Sequence, residues 1–430
     1  MARVVLTTFG SLGDLHPYVA LARELSARGH RPLLATHGIY RERVEAAGIQ
    51  FHAVRPDLAD FGDPAVTMRR AIASPRATEF VVRRLVLPHL RASHADLLAA
   101  CAGADALVGH VLTVAAPLVA EQRELLRIHT VLQPLTLFSA HDPPVLSTAP
   151  ASRWALRLPP AMWKPLWALA RAASRPWFHG LDALRAEAGL PPASGHPLFE
   201  GFSSVLNLAL FSPVLAAPQP DWPPRTLTTG FAFWDRDQTG DGMPAALREF
   251  LDAGSAPLVF TLGSSAVWAA GTFYREALKA VALLGLRAVL LTGPMAAAPA
   301  GRLRRDVMTV PYAPHSELFV RAAAIVHQGG IGTMGQALRA GRPMLIVPFS
   351  HDQPDNAARC VRLGVARVVP RHALRAARLA SELEALLGDP AVRARAEQIG
   401  VQVRGERGAS VAVDAIVAAL AWGGRARSRN

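Results

Sequence analysis

The sequence predicts an α/β chain made of two doubly wound domains, each a sheet of parallel strands flanked by helices. Three observations lead there. Short buried-looking runs of valine, leucine and isoleucine alternate with longer segments of helical period. That alternation occurs twice, on either side of a proline-rich stretch. And a length of 430 residues exceeds one ordinary core, so two domains of about 200 residues each are expected.

In order along the chain, Arg3 to Thr8 reads as a first strand, Pro17 to Arg28 as a helix stopped by Gly29, and Leu33 to Thr36 as a second strand. Strands at Ala106 to Gly109 and near Ile128 to Leu132 continue the βαβ pattern of a parallel sheet. From Trp154 to Leu190, four tryptophans (Trp154, Trp163, Trp167, Trp177) among prolines and arginines predict irregular amphipathic helices. Two readings stay open for them: packing a helical lid onto the first domain, or lining an apolar pocket or touching lipid. Residues 213–225 hold too many prolines for a helix or central strand and are read as the linker after a first domain of residues 1–212. Strands near Leu258 to Leu262, Ala288 to Leu291, Val307 to Val310, Ala322 to Val326, Met344 to Val347 and Arg367 to Val369 give a second domain, 226–405, followed by a last helical segment, 406–430.

Composition narrows the function. A net charge of +13 ordinarily points to nucleic acid or an anionic membrane. Lysine, however, occurs only at Lys164 and Lys279, so arginine makes up the other 44 of 46 basic residues. These arginines are scattered, without the basic, aromatic-interleaved runs of nucleic-acid modules, and no nucleic-acid partner is expected. Cys101 and Cys360 form no metal or redox spacing, and Met1 leads directly into a strand, so a reducing cytoplasm is the expected compartment. No apolar run reaches the roughly 18 residues needed to span a bilayer.

The chemistry concentrates in His327-Gln-Gly-Gly-Ile-Gly-Thr333, followed by Gly341-Arg-Pro343, an apolar run and Asp352-Gln353-Pro354. A buried strand, a glycine turn and a helix from about Thr333 make a phosphate site: glycines let backbone N–H groups approach an anion, and the helix N-terminus carries roughly +0.5 charge. Gly330-x-Gly332-x-x-Gly335 also satisfies the dinucleotide fingerprint, with Asp352 about 20 residues on as the ribose acid. A nicotinamide-dependent oxidoreductase is therefore an alternative. The position late in the chain, His327 at the strand end and the Asp-Gln pair argue against it.

At these residues the sequence resembles the family 1 nucleotide-sugar glycosyltransferases, which join two Rossmann-like domains in the GT-B fold. The bacterial branch with the rhamnolipid rhamnosyltransferase, vancomycin-type enzymes and sterol glucosyltransferases is the nearest in pattern, over Val4 to about Val417. The resemblance implies that His327 hydrogen-bonds the donor diphosphate, that backbone at Gly332 and Thr333 holds phosphate oxygens, and that Asp352 and Gln353 grip sugar hydroxyls, with Gly329 and Gly330 further donor-binding positions. It also implies that the last helix crosses back onto the first domain. A catalytically inactive sugar-nucleotide-binding protein shares all of this and is the other alternative.

Inverting glycosyl transfer needs a base for the acceptor hydroxyl and stabilisation of the departing diphosphate. Gly10-Ser-Leu-Gly13-Asp14-Leu-His16-Pro17 follows the first strand, where the base belongs. Asp14 is either an N-terminal helix cap or the base, and vancomycin-type enzymes also carry aspartate there. Where plant members have an aspartate orienting a catalytic histidine, this chain has His110, so an Asp14–His110 dyad is expected, with His16 as competitor. Gly13, His16, Gln133 and His141 are candidate acceptor contacts; the segment Gln133 to Asp142 reads equally as an ordinary polar loop.

On the donor side, Ser264 and Ser265 follow a strand and can cap a helix, hold diphosphate, or both. Val310 by its backbone, or Tyr312 by stacking, is expected at the nucleobase, while core packing of Tyr312 stays open. Gly330 replaces the tryptophan of the plant motif, and Gln336 stands for a glutamate that holds both ribose hydroxyls, allowing one extra helix residue. A neutral amide grips a diol less strongly than a carboxylate, which favours a dTDP-sugar, such as dTDP-rhamnose, over UDP-glucose. No metal site is expected: Asp235-Arg-Asp237, the sole Asp-x-Asp pair noted, reads as a surface loop. The expected protein is a cytoplasmic monomer or weak dimer acting on a nucleotide sugar and a small hydrophobic acceptor, with peripheral contact at the inner membrane left open.

Overall fold

A computed structural model of the chain describes residues 1–73, 76–147, 156–235, 242–293 and 305–427. The first sheet contains β1 (Arg3–Thr7), β2 (Arg31–Thr36), β3 (Gln50–Ala53), β4 (Ala106–His110), β5 (Leu126–Val131), β6 (Leu206–Ala209) and β7 (Thr226–Thr228) in the order β3-β2-β1-β4-β5-β6-β7. The second contains β8 (Leu258–Thr261), β9 (Ala288–Leu291), β10 (Val307–Val310), β11 (Ala324–His327), β12 (Met344–Ile346) and β13 (Ala366–Val368) in the order β10-β9-β8-β11-β12-β13. Every pairing is parallel.

Helices cover both faces, which is why the central strands are continuous apolar runs rather than alternating ones. Leu6, Val108 and Ile128 face Tyr18 and Leu21, whereas Val5 and Leu107 face Leu118 and Val119 on the other side of the sheet. In each sheet the strand order turns at one point, between β1 and β4 and between β8 and β11. Loops leaving the C-terminal ends of those strands diverge and open a crevice there. The motifs singled out in sequence fall on those ends: Gly10 to Asp14 after β1, His110 closing β4, Gly263 to Ser265 after β8, and His327 closing β11.

The domain boundary differs from the sequence reading. The proline-rich residues 213–225 do not join the domains, because β7 follows them and pairs with β6 in the first sheet, Asn207 opposite Thr226. Proline forbids a helix there, but it says nothing about which sheet the next strand joins. The chain crosses after Thr228, and it returns near Glu406. That carboxyl accepts from Ser212 Oγ and from the Phe231 backbone N–H, so one side chain ties both crossings together. The helix Gly408–Arg427 then lies on the first domain, with Ala412, Val413 and Ile416 in its core and Arg28 bonded to Ser410 and Asp414.

The tryptophan segment forms the helices Pro160–Ser174 and His179–Glu187. Trp163 and Trp167 stack at 5.3 Å and are buried under Phe138 and Phe199. They pack the first domain, as the lid reading has it; Trp154 lies outside the described residues.

Candidate functional site

The donor-side turn is built so that backbone faces inward. Gly329 has φ +90°, and a Cβ there would lie 2.9 Å from Ile346 and 3.1 Å from the Gln353 carbonyl, so only glycine lets the turn come this close to the next loop. The helix Ile331–Ala340 begins directly after it, two residues earlier than the sequence suggested, with no side-chain cap and no acid in its first turn. Its free N–H groups and positive dipole end suit an anion. His327 is fully buried, and its Nδ1 accepts from the Gly329 N–H at 3.0 Å. Nε2 therefore carries the proton, and it is a buried donor without a protein acceptor. Burial, with His315 nearby, pushes the ring's pKa down to about 3, so it serves as a neutral donor.

The Asp-Gln pair opens the helix Gln353–Arg362 beside this turn. Asn356 Nδ2 donates both to Asp352 Oδ2 at 2.6 Å and to the Gly329 carbonyl at 2.9 Å, fixing the pair to the phosphate turn. Gln353 Oε1 accepts from the N–H groups of Phe349 and Ser350 at 2.8 and 3.2 Å, so the amide Nε2 is the end left for a ligand hydroxyl. Desolvation, reinforced by the charge of Asp14, pushes Asp352 up to about 7.

Asp14 stands on the opposite wall. It is the third residue of the helix Leu12–Ala27, and its Oδ2 accepts from the Ser11 N–H at 2.8 Å and from Ser11 Oγ at 3.2 Å in a capping box. Gly10, at φ +139°, makes room: a Cβ there would come within 2.3 Å of that same oxygen. The cap and base readings thus apply to one atom group at once. Capping bonds lower the carboxyl's pKa, but desolvation is the larger effect, and the net is a rise to about 6. The walls nearly touch here, since a Cβ on Gly332 would sit 3.5 Å from Gly13 Cα.

Several expectations need correction. The Asp14–His110 dyad is not formed: His110 Nε2 accepts from the Phe9 N–H and meets Thr8 Oγ1, both at 3.1 Å, and burial lowers the ring to about 4. His110 holds the backbone of the base's loop instead. His16 packs edge-on against Trp234 at 5.1 Å. Gln336 Nε2 donates to Asp235 Oδ1 at 3.1 Å, beside the Arg339–Asp235 ion pair at 2.6 Å. Asp235 is accordingly no loose surface residue, while Asp237 lies outside the described residues.

Other candidates sit at the cleft ends of their strands. Val310 closes β10 and is buried, Tyr312 is 40% exposed beyond it, which rules out the core-packing reading, and Ser264 and Ser265 follow β8 at half-buried positions. Gln133 follows β5, and exposed His141 donates its N–H to Ser139 Oγ in a loop that Ser139 and Ala140 anchor to Asp221 at 2.6 Å each.

Residues the sequence did not single out complete the site. Gln328 lies between the β8 and β11 turns, its Nε2 2.6 Å from where a Cβ on Gly263 would be. Across the domains, Arg359 binds Asp355 at 2.8 Å and also Asp142, while Asp355 accepts from the Val145 N–H at 3.0 Å. Burial raises Asp355 against the pull of Arg359. Only the spacing of Asp355 and Arg359, one helical turn apart, hinted at this network.

A doubly wound pair of domains, with an anion-type turn on one wall and a carboxylate of raised pKa on the other, defines a two-domain group-transfer enzyme. Residues 4–133 match the glycosyltransferase family 28 N-terminal domain, and residues 279–417 match the erythromycin biosynthesis protein CIII-like C-terminal domain. The chain is 32% identical over 422 residues, 94% of each chain, to O-mycaminosyltylonolide 6-deoxyallosyltransferase of Streptomyces fradiae. It is 29% identical over 443 residues to sterol 3-beta-glucosyltransferase of Neurospora crassa, matching 96% of this chain but only 27% of that longer protein. Glycosyltransferase VinC, solved in complex with dTDP, superposes with a TM-score of 0.66 over 97% of this chain and 99% of that one at 24% identity. The chain belongs to the family 1 glycosyltransferases of GT-B fold.

Proposed function

We propose that the protein transfers a hexose or 6-deoxyhexose, with inversion and without a metal ion, from a nucleoside-diphosphate sugar to a hydroxyl of a small hydrophobic acceptor. One observation carries this reading most: the buried, unpartnered Nε2–H of His327 beside an uncapped helix N-terminus, whose Gly332 approaches Gly13 of the Asp14 turn across the cleft. In the step itself, the Asp14 carboxylate takes the acceptor's hydroxyl proton while that oxygen bonds to the anomeric carbon from the face opposite the diphosphate. The bond from that carbon to the diphosphate oxygen breaks as this happens. His327 Nε2–H and the N–H groups at Gly332 and Thr333 receive the charge left on the diphosphate, and Asp352 and Gln353 hold the sugar.

The thymidine carrier is favoured over uridine because Gln336, at the position expected to grip a ribose diol, is a neutral amide whose Nε2 is already bonded to Asp235; VinC's complex with dTDP is in keeping with that. An apolar acceptor accords with relatives named for a macrolide-type and a sterol substrate. Any contact with a membrane falls to the helix Pro160–Ser174, where Met162, Leu166 and Leu169 are exposed near Lys164; no helix among the described residues is long and apolar enough to cross one. Incubating the protein with dTDP- and UDP-linked glucose and rhamnose and a panel of hydrophobic alcohols, read by mass spectrometry, tests the reading. Added hexosyl or deoxyhexosyl mass is expected, with an anomeric configuration opposite to the donor's when the product is read by NMR; no transfer with any pair, despite tight donor binding, overturns it in favour of a binding protein.

A further inference from the structure

His351, directly before the Asp352-Gln353 pair, has its backbone in the left-handed region at φ +56°. For a residue with a Cβ that conformation is unfavourable by about 1–3 kcal/mol and persists where the surroundings enforce it. Here the surroundings belong to the other domain. His351 Nε2 lies 2.8 Å from the Ala71 carbonyl, which can only accept, so Nε2 carries the proton; Nδ1 then accepts from Thr78 Oγ1 at 3.0 Å. Ala71 and Thr78 lie on the helices Pro64–Ala73 and Ala77–Phe80 of the N-terminal domain. Next to Ala71, Ile72 is 4% exposed inside the C-terminal domain's core, among residues such as Ala266, Ala269 and Val347. This strap reaches over the cleft and fastens on the apex of the donor loop.

We propose that His351 is a positioning residue for the donor sugar: by bonding to the strap it holds the loop Phe349 to Gln353 in the one backbone course that presents Asp352 and Gln353 to sugar hydroxyls. The inference rests on the reading of that pair as the sugar grip. The loop already folds around Gln353, whose Oε1 takes the Phe349 and Ser350 N–H groups, and the left-handed residue between them sets where Asp352 points. The diphosphate contacts sit on β11 and the helix Ile331–Ala340, which join the donor loop through Asn356, whereas the strap's bonds go to His351. Loosening the strap therefore weakens the sugar contacts while sparing the phosphate ones.

Calorimetric binding of dTDP and UDP, and of their glucose conjugates, to the full chain tests this in three variants. His351→Gly keeps the left-handed backbone at no steric cost and removes both ring bonds; Thr78→Val removes one bond from the far side without changing shape; His351→Gln retains an N–H for the Ala71 carbonyl. Losing one or two such bonds lowers affinity by about fivefold to twentyfold. That loss is expected for the nucleotide sugar in His351→Gly and, at the lower end, in Thr78→Val, with the bare diphosphate within about twofold of wild type and His351→Gln recovering part of the difference. Unchanged preference for nucleotide sugar over bare diphosphate in both His351→Gly and Thr78→Val overturns the inference, as does a parallel loss for both ligands. If wild type binds the diphosphate but gains nothing from the sugar, the sugar-grip reading fails and takes this one with it.

Discussion

The two walls of the cleft are made by the same unit, a buried strand, a glycine turn and the N-terminus of a helix, yet they end in opposite chemistry. After β11 the helix Ile331–Ala340 starts without a cap or an acid, so its dipole and N–H groups are available to an anion. After β1 the helix Leu12–Ala27 starts with Ser11 and Asp14 in a capping box, which satisfies those same groups from within. A carboxylate three residues into a helix thus converts an anion site into a place for a base. Capping and dipole favour the ionised form of Asp14, but burial outweighs them and leaves it titrating near 6.

The contrast can be broken from either side. Replacing the base should have the largest effect: Asp14→Asn keeps the cap's shape and should lower kcat by about 10²–10⁴-fold with donor affinity little changed, measured in steady-state assays. His327→Ala should remove one hydrogen bond to a charged group and weaken dTDP binding by roughly 1.5–3 kcal/mol, read by calorimetry, leaving the pH response of transfer intact.

The walls also separate by stability. The native Asp14 carboxyl keeps its proton up to about pH 6, whereas unfolded aspartate releases it near its ordinary value of 3.8. Between those pH values the native state binds more protons, so this group's contribution to stability is fully present at low pH and falls as pH rises through the window. Asp14→Asn, with nothing to ionise, should melt like wild type at pH 4 and higher than it at pH 8, by an amount on the order of 3 kcal/mol. Smallest in chemistry should be His110→Ala: it orphans the Phe9 N–H and costs about 1–3 kcal/mol of stability, while kcat per folded enzyme stays near wild type.

What could be read from sequence follows the same physics. Buried parallel strands such as Ala324–His327 announce themselves as apolar runs, and glycines mark the turns that follow, so the two-sheet fold and both walls of the cleft were legible. The edge strands β3 and β7 were not, because Gln50–Ala53 and Thr226–Thr228 are short and largely outside the core, and neither was β6, Leu206–Ala209, whose four residues are interrupted by Asn207. Prolines at 213–225 showed where a helix cannot be, not which sheet comes next. Partner choice was the least legible: the pattern places His110 at a strand end but not its ring on the Phe9 N–H, and nothing local links Gln336 to Asp235 or Arg359 to Asp142. The first is settled by packing within one sheet, and a pairing such as Arg359 with Asp142 by how the two domains meet.

The central claim, that Asp14 is the base opposite the His327 turn, is tested most directly by the pH dependence of kcat/KM for the acceptor at saturating donor. Wild type should rise with unit slope to a plateau above an apparent pKa near 6, and Asp14→Asn should be slow and flat across the same range. An Asp14→Asn enzyme that retains the wild-type rate and the same rising limb would contradict the account.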